Sequence, residues 1–319
     1  MKKIVVTTIV LVLLLPTILF AAGGKEKKSD ETYIAVISMG EQHEYWQAVK
    51  LGTEKAAKEL GIRTTYEAPP SEDMVDLQIN MVENTIRTKP DGLLLAPLDA
   101  VALVPYIKQA VDAGIPVVLF DAGADTDLHS SLVATNNYNA GALAAQAMIK
   151  ELGNKGTIGV IVHSATDRSA IDRGDGFLDY MAANSNIRVL PPVYGSGGEH
   201  EESANLMVDL IRANPNLDGV YATNEGAAVG AGIGANEAGV AGKITLIGFD
   251  SGAQQIAFLK DGTIRGFVSQ DPVQIGYLGV KVLYDVLQGK AVEEEIDTGA
   301  VFVDLTNFDD EHVQQIIYQ

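Results

Sequence analysis

The chain contains no cysteine in its 319 residues. Disulfide bonds, thiolate metal sites and a cysteine nucleophile are therefore excluded. Attachment of a lipid to a cysteine is excluded for the same reason. The sequence also contains no G-x-x-x-x-G-K-[ST], G-x-S-x-G or H-E-x-x-H motif, so the common signatures of phosphate-loop proteins, serine hydrolases and zinc proteases are missing.

Histidines are few and scattered. They are His43, His129, His163, His200 and His312. No spacing brings several of them to one metal ion, and the sequence predicts no metal site, no catalytic triad and no cofactor. Glycines at 230, 232 and 234 resemble a dinucleotide fingerprint, but they stand as G-x-G-x-G inside a predicted helix. Close helix packing is the better interpretation.

Basic residues are outnumbered by acidic ones. The chain has 23 Lys and Arg against 42 Asp and Glu, a formal net charge of −19. A polyphosphate would be repelled, so we expect no nucleic-acid partner. Hydrophobic residues make up 47% and charged residues 20% of the chain, which indicates packed cores rather than disorder. The length allows two domains of ordinary size.

The first residues form the longest apolar run. Residues 1–22 place two lysines before an apolar stretch and end in Ala21 and Ala22. This layout predicts a cleaved signal peptide, followed by a polar linker over 23–30. An uncleaved anchor is the alternative, because the run from Ile4 onward is nearly long enough to span a bilayer. Both interpretations predict export.

One phrase occurs twice in the chain. IPVVLFDAG (115–123) and KITLIGFDSG (243–252) each end a short apolar run in Phe-Asp. Such runs are typical of strands buried on both faces of a parallel sheet. Ligands bind at the carboxyl edge of such sheets, so Asp121 and Asp250 are candidates for one site between two similar halves. Capping of the following helix is the alternative for either aspartate. Two carboxylates suit a ligand with adjacent hydroxyl groups.

Strand and helix alternate along the chain, which predicts an α/β fold with parallel sheets. The predicted strands are 33–38, 63–67, 92–96, 115–121, 131–134, 157–162, 188–193, 219–222, 244–248 and 264–269. The predicted helices are 45–60, 72–88, 100–113, 140–152, 169–183, 200–213, 225–238, 252–260 and 272–288. The last of these follows the second set of strands, and such late elements often return to the first domain.

An aromatic pair begins the first predicted helix. Tyr45 and Trp46 stand at the carboxyl end of the first strand. Consecutive helical positions point about 100° apart, so we expect one of the two to face the same edge as Asp121. Aromatic faces pack against the C–H faces of sugar rings, and also against many other apolar groups. A purely structural position of Trp46 in the core is the alternative.

Several motifs together resemble those of a known family. FDAG with FDSG, RGDGF (173–177), PNLDGVYATNE and SQDPVQIGYLG are similar to motifs of the type I periplasmic binding proteins of sugar ABC transporters, with the ribose-binding proteins as the nearest group. The resemblance extends from about Tyr33 to the end. It implies two Rossmann-like lobes joined by a three-stranded hinge, with crossovers near Asn136, Gln270 and Thr298. The implied lobes are 31–136 plus 270–298 and 137–269 plus 299–319.

The resemblance also implies a set of ligand-binding residues. They are His43, Tyr45, Trp46, Asp121, Asn136, Arg173, Tyr194, Asn224, Asp250 and Gln270. The aromatic pair would stack on the ligand, and the two aspartates would bind its hydroxyl groups. Gln270 would bind it beside the hinge.

Two positions depart from the ribose-binding group. That group has an arginine after its first strand-end aspartate, where Ala122 stands here, and a second arginine where Ile171 stands. The loss of two cationic donors predicts a ligand other than ribose. Arg168, Arg173 or His163 are the candidates to replace them.

The implied function is that of a periplasmic solute-binding protein, which closes over a sugar or polyol and delivers it to an ABC permease without catalysis. A ligand sensor that feeds a chemoreceptor or a sensor kinase, for example for an autoinducer-2 type signal, has the same fold and stays an alternative. An α/β enzyme that binds a nucleotide is disfavoured, because residues 38–41 supply no phosphate-binding glycine turn after the first strand.

Overall fold

The computed structural model describes residues 31–318. The predicted signal peptide (1–22) and linker (23–30) lie outside the described residues, and so does Gln319. Within the described part of the chain, no helix combines the length and the apolar character that a membrane span requires.

Short strands alternate with helices throughout the described residues, as the sequence predicts. The strands are β1 (Tyr33–Ile37), β2 (Arg63–Glu67), β3 (Gly92–Leu95), β4 (Val117–Phe120), β5 (Leu132–Ala134), β6 (Thr157–Val162), β7 (Arg188–Val189), β8 (Val193–Tyr194), β9 (Gly219–Ala222), β10 (Thr245–Phe249), β11 (Gly266–Gln270), β12 (Glu295–Asp297) and β13 (Ala300–Val303). The helices are α1 (Glu44–Leu60), α2 (Val75–Thr88), α3 (Val104–Asp112), α4 (Asn137–Leu152), α5 (Arg168–Asn184), α6 (His200–Ala213), α7 (Glu225–Glu237), α8 (Ala253–Asp261), α9 (Pro272–Leu287) and α10 (Glu311–Ile316).

The strands form two sheets with the same internal order. The first is β12-β5-β4-β3-β1-β2, and all its pairings are parallel. The second is β13-β11-β10-β9-β6-β7, with β8 also paired to β6. Its pairings are parallel except that of β13 with β11. The winding reverses between β1 and β3 and between β6 and β9, which is where doubly wound sheets bind ligands.

The central strands of the first sheet are covered on both faces. Every residue of β3 and β4 is buried. Leu94 packs with residues of α1 and α9, while Leu93 and Leu95 pack with residues of α2 and α3 on the other face. Alternate side chains of a strand point to opposite faces, so both sets must be apolar. The unbroken apolar runs of the sequence follow from this arrangement.

The chain passes between the two sheets three times: from β5 to α4, from β11 to α9 and from β12 to β13. These connections touch one another, because the Thr135 hydroxyl donates to Gln270 Oε1 at 2.7 Å and contacts the Gly299 carbonyl oxygen at 3.2 Å. After the second passage, α9 packs along α1. With the bounds implied by the resemblance, we call residues 31–136 and 270–298 the N-terminal lobe and residues 137–269 and 299–318 the C-terminal lobe.

One predicted strand is divided in two. The sequence predicts a strand over 188–193, but β7 and β8 are separated at Pro191 and Pro192. Proline lacks the amide hydrogen that a strand ladder needs, so the ladder is interrupted there. The elements β12, β13 and α10 were not predicted. The sequences of β12 and α10 are short and largely polar, and β13 is an apolar run of only four residues, too short to show a periodicity.

Each lobe contains a pair of helices that meet at glycines. A Cβ atom at Gly276 of α9 would lie 2.1 Å from the Val49 carbonyl oxygen of α1, and one at Gly176 of α5 would lie 1.9 Å from the Tyr138 carbonyl oxygen of α4. Cβ atoms at 230, 232 and 234 of α7 would each meet a neighbouring atom at 2.5 Å. This contact confirms close helix packing as the role of those three glycines.

A pair of substitutions within α5 tests this packing. Gly176→Ala should lower the free energy of unfolding by about 1–3 kcal/mol, because the added methyl group forces α4 and α5 apart. Gly174→Ala is the matched control, since its Cβ would lie 3.4 Å from a Val162 methyl group, an ordinary contact. The control should be neutral, or more stable by up to about 1 kcal/mol through helix propensity. Equal stabilities of the two variants in urea unfolding would contradict the packing argument.

Candidate ligand-binding site

A cavity lies between the lobes, at the carboxyl edges of both sheets. The space free of protein atoms there is about 290 Å³, a figure that includes open solvent. All residues that the sequence analysis proposed for the ligand line this cavity, except Asn136 and Tyr194. The structure thus brings together side chains from strand ends that are far apart in the chain.

The two repeated aspartates occupy equivalent places in the two lobes. Asp121 follows β4 and Asp250 follows β10, and both are buried. Both adopt the left-handed backbone conformation, with φ of 64° and 72°. Their amides donate to the Val133 and Val268 carbonyl oxygens of the next strand, at 2.9 and 2.7 Å. Left-handed backbone is unfavourable for most residues, although aspartate tolerates it better than branched residues. Such conformations are often found at functional sites.

Neither aspartate caps the helix that follows it. Asp121 accepts a hydrogen bond from the Tyr45 hydroxyl. Asp250 accepts from Gln270 Nε2 at 2.9 Å and from the Glu225 amide at 3.1 Å. Helix α8 begins after Gly252 instead, without a side-chain cap. The capping alternative is therefore wrong for Asp250, and both carboxylates face the cavity.

The aromatic pair of α1 forms one wall. The rings of Tyr45 and Trp46 lie 5.0 Å apart and nearly perpendicular, and both line the cavity. The indole N–H donates to Glu72 Oε1 at 2.7 Å, and the ring also packs edge-on against Phe120. Trp46 therefore belongs to the hydrophobic core and to the cavity wall at the same time. Both members of the pair reach the cavity, although we expected only one.

His43 presents unused hydrogen-bonding capacity. It is only 4% exposed, and neither ring nitrogen has a hydrogen-bond partner among the described residues. Its Nε2 lies 3.6 Å from Glu72 Oε1. Buried polar groups are normally paired, so an unpartnered imidazole in a cavity wall is suited to bind a ligand.

Arg173 supplies the positive charge of the cavity. Its Nε donates to Asn137 Oδ1 at 2.7 Å and its Nη1 to the Thr223 carbonyl oxygen at 3.0 Å. The guanidinium lies 3.7 Å above the Phe249 ring, and its Nη1 is 3.9 Å from Asp250 Oδ2. The residue is fully enclosed between the cavity and the core of the C-terminal lobe.

Asn224 and Gln270 complete the proposed contacts. Asn224 caps α7 by accepting from the Ala227 amide at 2.8 Å, and its Nδ2 lies 3.4 Å from Glu72 Oε2 across the cleft. Gln270 donates to Asp250 at 2.9 Å and accepts from Thr135 at 2.7 Å. It therefore connects the hinge to the cavity.

Two proposed residues lie elsewhere. Asn136 is exposed and caps α4 by accepting from the Asn139 amide at 3.0 Å. The buried neighbour Asn137 makes the contact with Arg173 instead. Tyr194 ends the edge strand β8 and is 51% exposed.

The candidates for replacing the missing arginines also differ in position. His163 lines the cavity, but its Nε2 is engaged by Asp167 at 2.9 Å and its Nδ1 by Thr223 at 2.7 Å. Arg168 does not line the cavity and pairs with Asp125 of the other lobe. Arg173 is therefore the guanidinium that remains available to the cavity.

Further residues of the cavity wall escaped the sequence analysis. They are Met39, Glu72, Asp167, Ser169 and Glu225. Asp167 and Ser169 belong to the start of α5, where Asp167 caps the helix. Glu225 directly follows Asn224 in the PNLDGVYATNE motif, and this position could have identified it as a candidate for the cavity wall. Glu72 stands in a loop and gives no local signal.

Buried carboxyl groups dominate the electrostatics. Burial raises the pKa of Asp121 to about 7, although Arg173 and the Tyr45 hydroxyl act in the opposite direction. Burial likewise raises the pKa of Glu225 to about 7 and that of Glu72 well above its usual range. Among residues 31–318, no group of three or more His, Asp or Glu side chains is arranged to hold a metal ion.

Comparison with known proteins gives concordant similarities. The profile of the periplasmic binding protein domain matches residues 34–291. A solute-binding protein of an ABC transporter from Agrobacterium vitis, solved with bound D-fucose, is 38% identical, with a TM-score of 0.87 over 90% of this chain and 100% of that chain. A carbohydrate transporter solute-binding protein from Agrobacterium radiobacter, in complex with D-arabinose, is 32% identical, with a TM-score of 0.88 over 91% of this chain and 99% of that chain. The ribose import binding protein of Bacillus subtilis is 28% identical over 252 residues, 79% of this chain and 80% of that protein. The structural similarities confirm the two-lobed α/β architecture expected from the sequence.

The raised pKa of Asp121 predicts a pH dependence of stability without ligand. The unfolded carboxyl group loses its proton near pH 4, whereas the folded one keeps it up to about pH 7. The contribution of the Asp121 carboxyl group to the free energy of unfolding is therefore fully present below pH 4, and it is lost as the pH rises through 7. Asp121→Asn, which also tolerates the left-handed backbone, should gain stability over the wild type as the pH rises from 4 to 8. The expected gain in the free energy of unfolding is about 1.4 kcal/mol for each unit by which burial raises the pKa.

Thermal unfolding of both proteins across this pH range measures the effect. Asp127→Asn serves as the control, because Asp127 is exposed in the loop after Asp121. Identical pH profiles of Asp121→Asn and the wild type would show that the Asp121 carboxyl is not buried in solution.

Proposed function

Because the chain belongs to the family of periplasmic binding proteins, we propose that it is the solute receptor of a sugar ABC importer, which closes its two lobes over a small neutral sugar or polyol and delivers it to a permease. No bond of the ligand is made or broken in this function. We further propose that residues 1–22 direct export and that the protein acts in the periplasm.

The observation that carries this proposal is the pairing of acceptors and donors in one cavity between two lobes. Asp121 and Asp250 offer carboxylate oxygens, while His43 and Arg173 offer N–H groups. A polyol hydroxyl both donates and accepts, so adjacent hydroxyl groups would satisfy both kinds of partner. The Tyr45 and Trp46 rings would pack against the C–H surface of a sugar.

We assign the contacts to lobes as follows. His43, Tyr45, Trp46 and Asp121 would hold the ligand on the N-terminal lobe. Arg173, Asn224 and Asp250 would hold it on the C-terminal lobe, and Gln270 would bind it at the hinge. A ligand that touches both lobes favours the closed arrangement over an open one by the difference of its affinities for the two.

The charge of the cavity narrows the ligand class. Of the described residues that line it, five carry a carboxyl group and one, Arg173, carries a guanidinium, so acidic groups outnumber basic ones although burial keeps part of the carboxyl groups protonated near neutral pH. A further negative charge would be repelled at short range in a medium less polar than water. The proposal therefore favours neutral sugars and polyols over uronic acids and sugar phosphates.

A thermal-shift screen tests the proposed function. The chain without residues 1–22 would be heated with neutral sugars and polyols, including D-fucose, D-arabinose, D-allose, D-ribose and xylitol, and with uronic acids as matched anionic probes. A ligand at a hundred times its dissociation constant should stabilise the protein by about 2.7 kcal/mol. We expect a neutral compound to give the largest shift. A uronic acid that outperforms its neutral parent sugar would contradict the charge argument.

The role of Asp250 is tested with the best ligand of that screen. Asp250→Asn keeps the shape of the side chain but loses its charge, and the dissociation constant should rise about tenfold to a hundredfold, since a hydrogen bond to a charged group contributes about 1.5–3 kcal/mol. Tyr194→Phe is the control, because Tyr194 lies outside the cavity. Titration calorimetry gives both constants. An unchanged constant for Asp250→Asn would refute the assignment.

A further inference from the structure

Two helices that begin at the cleft receive no cap from their own N-cap residues. Helix α1 follows His43 and α8 follows Gly252, and neither residue accepts a side-chain hydrogen bond from the helix. The first amides of a helix have no acceptor within the helix and must find one elsewhere. For both helices, acceptors come from the opposite lobe.

Glu225 caps α1 across the cleft. It is the first residue of α7 in the C-terminal lobe and is only 6% exposed. Its Oε1 accepts from the Glu44 amide at 3.2 Å, and its Oε2 accepts from the Tyr45 amide at 3.1 Å. One carboxylate thus takes up two of the orphan amides at the start of α1.

Glu44 makes the opposite contact. It is the first residue of α1 in the N-terminal lobe, and its Oε2 accepts from the Ala253 amide, at the start of α8, at 2.6 Å. The backbone of Glu44 therefore donates to the C-terminal lobe while its side chain accepts from that lobe. The two contacts are reciprocal.

We propose that Glu44 and Glu225 form a pair of reciprocal cross-lobe caps that stabilises the closed arrangement and positions the aromatic wall of the cavity. This inference rests on the proposed function, in which closing of the lobes holds the ligand. Glu44 and Glu225 act as positioning residues, because their hydrogen bonds go to the backbone of α1 and α8.

The contacts favour the closed arrangement specifically, because they join atoms of different lobes. When the lobes separate, the amides of α1 and α8 and both carboxylates lose these partners together. A carboxylate at a helix N-terminus gains from the helix dipole and from charge-assisted hydrogen bonding. Each cap therefore adds to the free-energy difference between closed and open states and leaves the fold of each lobe intact.

The C-terminal residues support Glu225 in this position. The Tyr318 hydroxyl donates to Glu225 Oε2 at 3.1 Å and accepts from the Ser251 amide at 3.3 Å. The Tyr318 ring also meets the Tyr45 ring, with centroids 5.9 Å apart. Glu225 is thus held between α7, the C-terminal residues and the first turn of α1.

A cross-linking experiment measures closure directly, without any ligand. The side chains of Gln42 and Glu199 contact each other across the cleft at 2.9 Å. Since the chain has no cysteine, Gln42→Cys with Glu199→Cys creates one reactive pair between the lobes. The rate at which a short bismaleimide joins the two thiols then reports the closed population, even where that population is small.

In this background, Glu225→Gln and Glu44→Gln should each slow cross-linking about tenfold, because glutamine keeps one acceptor oxygen but loses the negative charge that strengthens the hydrogen bonds to the helix N-terminus. The matched controls are Glu237→Gln at the far end of α7 and Glu54→Gln on the exposed face of α1, and both should leave the rate unchanged. A second pair, Glu59→Cys with Lys281→Cys, lies within the N-terminal lobe and checks that each variant is folded.

If either glutamate variant cross-links as fast as its control, the reciprocal caps are refuted. If Glu225→Gln fails to fold, Glu44→Gln decides alone, since the Glu44 side chain is exposed. The assay contains no ligand, so a wild type that binds no sugar would overturn the proposed function and leave the caps standing. A wild type that binds sugar while both variants cross-link normally would overturn only the caps.

Discussion

The burial of the Arg173 guanidinium is the interaction on which the site depends. It connects the start of α4, the end of β9 and the end of β10 through Asn137, Thr223 and Asp250. Removing a charge from water is costly, and the neighbouring carboxylates, carbonyl oxygen and aromatic face offset that cost. The same positive charge opposes the rise in the pKa of Asp121. A single cation thus holds the crossover region in place and moderates the repulsion among the acidic groups around the cavity.

The sequence predicted the features that repeat or follow a regular period. The two Phe-Asp phrases identified Asp121 and Asp250, because buried parallel strands end at one edge of the sheet in both lobes. Glu72 and Glu225 could not be found in this way, since a glutamate in a loop or at a helix start is most often solvated. Their burial results from contact between the lobes. Asn136 shows the limit of motif matching: the N-cap residue faces solvent, whereas Asn137, one position later, faces inward.

The fold was predictable where the apolar pattern was strong. Strands β3, β4 and β10 are buried on both faces, so composition alone identifies them. Strand β12 reads EID and is only partly buried; its extended conformation comes from backbone pairing with β5, a partner more than 150 residues away in the chain. The twin prolines between β7 and β8 are a local signal that outweighs the apolar residues around them.

The position of Trp46 has a spectroscopic consequence. It is the single tryptophan of the chain, it lines the cavity, and its indole N–H bonds to a buried glutamate. Indole emission responds to the polarity and hydrogen bonding of its surroundings. All tryptophan emission of the unlabelled protein therefore comes from one residue, in the cavity wall that a ligand would touch. A change in this emission when a ligand is added would report binding at the proposed site, with no dye and no engineered residue.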